Sequence, residues 1–545
     1  MKYDGSLMWH KIITQDEKVI LREVLSVLSK SSPYAVSTER DDSISVHLDE
    51  VKNYLYIHTD IESDFEKALT SLSPSDKKII FLCGSSGDGK SEILTKYCNK
   101  FSNRANFHLD ATHSFKPNDS AIETLDKLFQ DFTEGSKPLV VGINIGMLGN
   151  YAEEGKHDQI KQSIKSFLDE EITKDENVYL NFEKYPKFEL QQSGHSSKFA
   201  KQLLQRICAP DNNIIRQYYD KELISPNKDK KLCANYELLS VNEVQDVIVD
   251  LLFKARLIKD QFLTARALLD FIFHLLAGPG YLQDNLFIDC DNELISKIAE
   301  FDPANTRSKA IDKFILSHSL KLADDNFEQY LTDLTAKGIR KGQKPETYLR
   351  LFYILRNADF SNNYHIDFKA DFHEQLIDKY STVWHLHTAY EGLPEQRTAI
   401  KAFYKETVIA AIHKYNNRNA PNLNKGEFFI CERNDYQLAA HIELKADIKS
   451  IASFMEDHVS QFHMFFKIGE ETIGMPANIN LLHLMQRIVD GYRPNKHDKN
   501  TVVILDEIVD KIAEVANSSN TLYILKKNQR IKITSDGEDL EVSGL

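Results

Sequence analysis

Gly84-Ser85-Ser86-Gly87-Asp88-Gly89-Lys90-Ser91 is a complete G-x-x-x-x-G-K-[ST] stretch. The apolar run Ile79-Ile80-Phe81-Leu82-Cys83 leads into it with strand character, and Ile93, Leu94, Tyr97, Cys98 and Phe101 lead out at a helical period. A loop that wraps a β-phosphate must turn successive backbone N–H groups inward, and glycines permit the dihedrals this needs. Lys90 is expected to set a point charge near the β- and γ-phosphates, Ser91 to ligate Mg²⁺, and the start of the following helix to face the anion. ATP and Mg²⁺ are the cofactors this pattern implies. The nucleotide-binding residues expected from it are Gly84, Ser85, Ser86, Gly87, Asp88, Gly89, Lys90, Ser91 and Glu92. The plainer reading of the same residues is a glycine-rich turn between a strand and a helix.

Outward from the loop, a short strand over 105–110, a helix over 121–132 (Ile122, Leu125, Leu128, Phe129, Phe132) and a strand over Leu139–Ile143 alternate. Strands alternating with helices at this spacing predict a parallel sheet covered on both faces. The fold class expected is an α/β P-loop NTPase core, AAA-like, over 76–190. An N-terminal helical region over 1–75 precedes it, with helices at 15–29 and 61–72. Residues 191–360 read as a helical lid or insertion region, since 241–258, 262–277, 309–321 and 345–357 all carry a 3.6-residue apolar period. Residues 361–545 read as a small mixed α+β part. It ends in antiparallel strands at Thr521–Leu525, Arg530–Thr534 and Asp539–Val542.

Hydrolysis needs an acid at a strand tip to hold Mg²⁺ and a polar group to orient water. Asp110 ends the strand after the loop helix and is a candidate for metal, beside Ser91; a capping or turn aspartate is its other reading. Asn144 closes the strand Leu139–Ile143 where AAA-type ATPases carry a water-sensing polar residue; a turn asparagine before Gly146 is the alternative. The catalytic candidates are thus Lys90, Asp110 and Asn144. Val502-Val503-Ile504-Leu505-Asp506-Glu507 looks like a strand ending in acids. Ile508, Val509, Ile512 and Val515 continue it at a helical period, so Asp506 is expected on a helix. Arg266 and Arg307 are weighed as γ-phosphate contacts, one from the lid and one across a subunit boundary in a homo-oligomer, against solvated helix arginines. No residue stands out as a catalytic base.

The net charge of −14 over 545 residues excludes a chain that grips nucleic acid over its whole surface, so any such contact is local or supplied by a partner. Six cysteines without a C-x-x-C pair argue against a zinc ribbon or a disulfide frame. No signal segment and no apolar stretch of membrane length are found, so the chain reads as cytoplasmic, with no membrane. Asp435 with Glu443-Leu444-Lys445 has nuclease-like spacing on a strand, but the alternation of Ala440, Ile442 and Leu444 makes one face of an ordinary strand the preferred reading. His385 and His387 could hold a metal from a strand, but no nearby cysteine or acid completes four ligands, and structural histidines are the preferred reading. Cations gather at Lys337, Arg340, Lys341 and Lys344, and again at Arg493, Lys496, Lys499, Lys526, Lys527, Arg530 and Lys532; solvated faces are the default reading.

Three segments together carry a resemblance: residues 25–36 (LSVLSKSSPYAV), 81–92 (FLCGSSGDGKSE) and 491–495 (GYRPN). With their order along the whole chain, it resembles the F subunit (DptF or DndF) of DNA phosphorothioation-dependent restriction systems. The resemblance implies a bacterial defence component that acts with the G and H restriction subunits of the same system. Such a complex damages DNA lacking the sulfur modification, so DNA is met through the complex. It also implies that Gly84, Gly89, Lys90 and Ser91 bind the nucleotide. An ATP-hydrolysing subunit is the first expectation; a nucleotide-switched scaffold or sensor without significant turnover is the second.

Overall fold

The computed structural model describes residues 20–31, 46–109, 120–169, 171, 176–192, 194–288, 292–454, 460–526, 529–535 and 539–544. The chain divides into two compact units. The first is Met1–Phe188 with Ser197–His373, and the second is Glu189–Ser196 with Glu374–Leu545.

The first unit is built on four parallel strands: β1 (Ile79–Cys83), β2 (Asn106–His108), β3 (Leu139–Ile143) and β4 (Val178–Asn181), in the spatial order β2-β3-β1-β4. Every residue of β1 and β3 is buried, as befits strands covered on both faces. Side chains alternate across a strand, so β1 feeds two cores. Ile80 and Leu82 meet Ile61, Phe65 and Leu69 of helix α1 (Asp60–Ser71) and Ile93, Leu94 and Tyr97 of helix α2 (Lys90–Phe101). Ile79, Phe81 and Cys83 meet Leu125 and Phe129 of α3 (Ala121–Glu134) and Leu148 and Tyr151 of α4 (Ile145–Glu154). The expected helix at 61–72 and strand at 139–143 are these elements, and the strand at 105–110 is the shorter β2.

Strand order reverses at β1: β2 and β3 lie to one side of it and β4 to the other. Ligands of open parallel sheets bind beyond the carboxyl ends of the strands at such a switch point. The loop 84–89 leaves β1 at that end.

The rest of the first unit is helical. The four expected periods over 241–357 are the helices Asn242–Ile258, α6 (Ala265–Ala277), Lys309–Ser319 and Pro345–Leu355, and α5 (Lys230–Leu239) precedes them. Helix α6 starts three residues later than the apolar period suggested. The Thr264 hydroxyl accepts the N–H of Ala267 and fixes the start there.

In the second unit, helix α7 (Leu376–Thr388) accompanies two antiparallel sheets. One is ordered β14-β13-β12-β8-β7 and the other β11-β10-β9. The expected terminal strands are β12 (Thr521–Lys526), β13 (Gln529–Ser535) and β14 (Leu540–Gly544). They extend the hairpin of β7 (Glu427–Arg433) and β8 (Tyr436–His441), while β9 (Leu444–Ala446), β10 (Phe462–Ile468) and β11 (Glu471–Ala477) form the smaller sheet. A short hairpin, β5 (Glu189–Leu190) and β6 (His195–Ser196), also belongs to this unit.

Two expectations are corrected here. His385 and His387 lie on α7, not on a strand, and residues two apart on a helix do not face one another. Asp435 sits in the β7–β8 turn with φ of +66°, whereas Glu443 lies past the far end of β8, so the acids of the nuclease-like spacing are a strand length apart. Among the described residues no group of three or more His, Cys, Asp or Glu side chains is placed to hold a metal, and no helix is long and apolar enough to cross a membrane.

Candidate nucleotide site

The loop after β1 turns through Gly87 and Gly89, whose φ angles of +86° and +105° fall in the left-handed region that side chains disfavour. Gly89 is the residue before α2 and has no side chain to cap the helix, so the first-turn N–H groups lack the acceptor that Ser120, Asn144 or Thr264 gives elsewhere. Lys90 and Ser91 begin α2. The Lys90 ammonium folds back to donate to the carbonyl oxygens of Gly84 (2.9 Å) and Ser85 (2.8 Å). It also opposes the effect of burial on Cys83, whose thiol burial pushes up to about 12. Glu92 pairs with Lys52 of the helix Val46–Leu55 at 3.0 Å.

Asp88 faces the inside of the loop. One carboxylate oxygen accepts the Ser85 N–H at 2.8 Å, and the other meets the Lys187 ammonium at 2.9 Å. Phe182, just past β4, packs beneath Gly84 so closely that a Cβ there would lie 2.9 Å from its ring. No motif spacing marks Lys187. The only available signal is that a carboxylate buried in a loop needs a cation.

A second helix begins at the same loop. The N–H of Arg266, in the first turn of α6, donates to the carbonyl oxygen of Gly87 at 3.2 Å. A Cβ on Gly87 would lie 3.1 Å from the Thr264 hydroxyl and 3.2 Å from the Arg266 Cβ. Two helix N-termini, those of α2 and α6, therefore converge on one glycine-rich loop. Each carries the partial positive charge of a helix N-terminus. One turn along α6, Asp270 accepts the N–H of Lys30 at 2.8 Å and the amide of Asn292 at 2.9 Å, anchoring α6 to the N-terminal segment.

Asn144 ends β3, the neighbour of β1, and caps α4: its side-chain oxygen accepts the N–H of Met147 at 2.6 Å. This leaves its NH₂ as the group able to donate. Asp110 follows β2 but lies outside the described residues. Arg307 is exposed and pairs with Asp312 at 3.6 Å. Asp506 is on the helix Lys499–Ala516, as expected, and accepts the Tyr415 hydroxyl at 2.7 Å within the second unit.

Lys90, Ser91, Arg266 and the first-turn amides of α2 are thus the groups gathered at the switch point. Their chemistry suits a polyphosphate: two cations, a hydroxyl able to ligate a divalent ion, and a helix N-terminus without a side-chain cap. No protein-family model matches the chain, and neither a curated protein nor a solved structure does.

Proposed function

We propose that this chain binds ATP with Mg²⁺ at residues 84–91 and hydrolyses it, as an ATPase subunit of a bacterial phosphorothioation-dependent DNA restriction complex. The carrying observation for the nucleotide half is the convergence of the α2 and α6 N-termini on the glycine-rich loop at the switch point of the sheet. The loop supports an AAA-like P-loop reading of the parallel sheet. In that reading Asn144 on β3 neighbours the phosphates, and Asp110, following β2, is the metal-holding acid. ATP with Mg²⁺ brings a phosphoanhydride whose cleavage is favoured when charge on the transferring group is neutralised. Toward it, Lys90 exchanges two neutral carbonyl acceptors for phosphate oxygens, Ser91 offers its hydroxyl to the metal, and Arg266 approaches from α6.

The restriction half rests on the resemblance of residues 25–36, 81–92 and 491–495 to the F subunit, with the G and H subunits as partners in the cytoplasm. In 491–495 the side chains have a local task. The Tyr492 hydroxyl donates to Asp498 at 2.8 Å, and Asn495 accepts the N–H of His497 at 2.9 Å, closing the turn after the helix Ile479–Val489.

A second reading, a nucleotide-switched scaffold without significant turnover, is favoured by the helix-capping task of Asn144, whose side-chain oxygen accepts the Met147 N–H at 2.6 Å. Phosphate release measured alone, with DNA, and with the partner subunits separates the two. Turnover that Lys90→Ala abolishes eliminates the scaffold. In cells carrying unmodified DNA and the full restriction set, a Lys90→Ala copy is expected to abolish DNA damage; undiminished damage contradicts the gating role.

A further inference from the structure

Two basic segments far apart in sequence meet on the first unit. The loop 337–344 lies along α5: a Cβ on Gly338 would sit 3.3 Å from the Ala234 methyl group and 3.6 Å from the Lys230 carbonyl oxygen. Lys337 pairs with Glu237 of α5 at 3.1 Å. The Arg340 N–H donates to the Tyr281 hydroxyl at 3.0 Å, and the Lys231 ammonium donates to the carbonyl of Pro279, two residues before that tyrosine. Lys230, Lys231 and Arg340 are therefore brought to one place, with Lys341 and Lys344 following along the loop.

All five of these side chains are exposed. Lys341 lies 4.0 Å from Glu328, but among the described residues no carboxylate pairs with Lys230, Lys231, Arg340 or Lys344. The nearest acid in sequence, Asp229, is already taken by Arg22 at 2.9 Å. In a chain of net charge −14, unpaired cations held together by backbone bonds make a local positive field against the overall sign. Gly342, with φ of +81° and nothing within 4 Å of where a Cβ would be, keeps the tip of the loop free of side-chain bulk. A phosphate can therefore approach the backbone there. The aromatic groups of this region, Tyr281 and Tyr348, accept backbone N–H groups of the loop itself. Flat rings between the cations are what stack the bases of a single strand, and here the Tyr348 ring is buried against His318 and Phe327.

We propose that Lys230, Lys231, Arg340 and Lys344 form a docking surface for the phosphate backbone of a duplex nucleic acid. This adds a direct contact to a reading in which DNA is met through partner subunits, and it does not depend on nucleotide at residues 84–91.

The test is fluorescence anisotropy of a labelled 20-base-pair DNA duplex with the full chain at about 50 to 200 mM salt. Four lost phosphate contacts remove about 3 to 4 from the slope of log affinity against log salt. The variant Lys230→Gln/Lys231→Gln/Arg340→Gln/Lys344→Gln is expected to show that smaller slope and at least about tenfold weaker binding at the lowest salt. A charge-matched variant on exposed lysines elsewhere in the unit, Lys309→Gln/Lys313→Gln/Lys321→Gln/Lys369→Gln, is expected to keep the wild-type slope. The single Arg340→Glu variant, which leaves the backbone bond to Tyr281 possible, is expected to weaken binding in the same direction. No duplex binding by the wild-type chain, equal losses in the two quadruple variants, or displacement by polyglutamate as readily as by unlabelled duplex would each overturn the proposal. ATP affinity measured on the same samples tells its failure from failure of the nucleotide reading.

Discussion

The Asp88 carboxylate and the Lys187 ammonium form an ion pair of 2.9 Å, with the Asp88 side chain 1% exposed and that of Lys187 12% exposed. Because the other Asp88 oxygen holds the Ser85 N–H, the pair braces the shape of the loop. The carbonyl of Lys187 in turn accepts the Ser197 hydroxyl at 2.6 Å, where the chain returns to the first unit after the β5–β6 hairpin.

Removing one member of a buried pair strands the other charge, at a cost of about 3–5 kcal/mol. Lys187→Met is expected to lower the melting temperature by roughly 5–10 °C and to weaken nucleotide binding. Asp88→Asn/Lys187→Met, which removes both charges, is expected to recover much of the melting temperature. Thermal melts of the three proteins check this; a Lys187→Met variant as stable as the wild type contradicts it.

Arg266 is held at the loop by its own backbone, so its substitution changes side-chain chemistry without releasing α6. Arg266→Ala is expected to slow ATP turnover on the order of a hundredfold while leaving ADP affinity within about threefold. Arg266→Lys, which keeps the charge and loses the planar fork, is expected to fall between the two. Steady-state kinetics beside ADP titrations give the answer, and an equal loss of ATP and ADP binding would show a structural role only.

Asp110, Asn144 and Asp506 separate by role. Asp110→Asn is expected to cost on the order of a hundredfold or more in Mg²⁺-dependent rate with nucleotide affinity nearly kept. Asn144→Ala is expected to act similarly on rate. Asp506→Asn removes the charge but keeps an oxygen able to accept the Tyr415 hydroxyl, and is expected to leave turnover nearly intact. Loss of hydrolysis in a folded Asp506→Asn protein alone would move the metal site to the second unit.

His387 gives the second unit a pH dependence of known sign. Burial pushes its imidazole down to about 4, although its Nδ1 meets the Val383 carbonyl oxygen at 2.7 Å. The folded state holds it neutral, while the unfolded chain takes up the proton near pH 6.5. The associated stability is full above that value. It falls by about 3 kcal/mol as pH drops from about 6.5 to about 4. Urea midpoints of the second unit across this range are expected to flatten in His387→Phe, leaving the contribution of His483, which burial also lowers. An unchanged profile contradicts the assignment.

The parts legible in the sequence were those where one local signal acts alone. β1 and β3 are five-residue apolar runs next to glycine or asparagine stops, and the helices of the first unit carry long 3.6-residue periods. β4 was missed because Val178-Tyr179-Leu180-Asn181 is short and only Leu180 is buried, so no run stands out. The start of α6 was misplaced since Phe262 and Leu263 extend its apolar period, while Thr264 chooses the helix start. At the candidate site the glycines, Lys90 and Ser91 announce themselves by spacing. Lys187 and the nearness of Arg266 to Gly87 do not, because both arise from contacts across about 100 residues or more, to which no local period refers.

The most direct measurement is the affinity of the purified chain for a fluorescent ATP analogue with Mg²⁺, compared with that of Lys90→Ala at equal melting temperature. The account predicts saturable binding by the wild type, and at least a tenfold loss in the variant, since Lys90 supplies the charge at the β- and γ-phosphates. Absence of binding by the folded wild type, or equal binding by the variant, would contradict it.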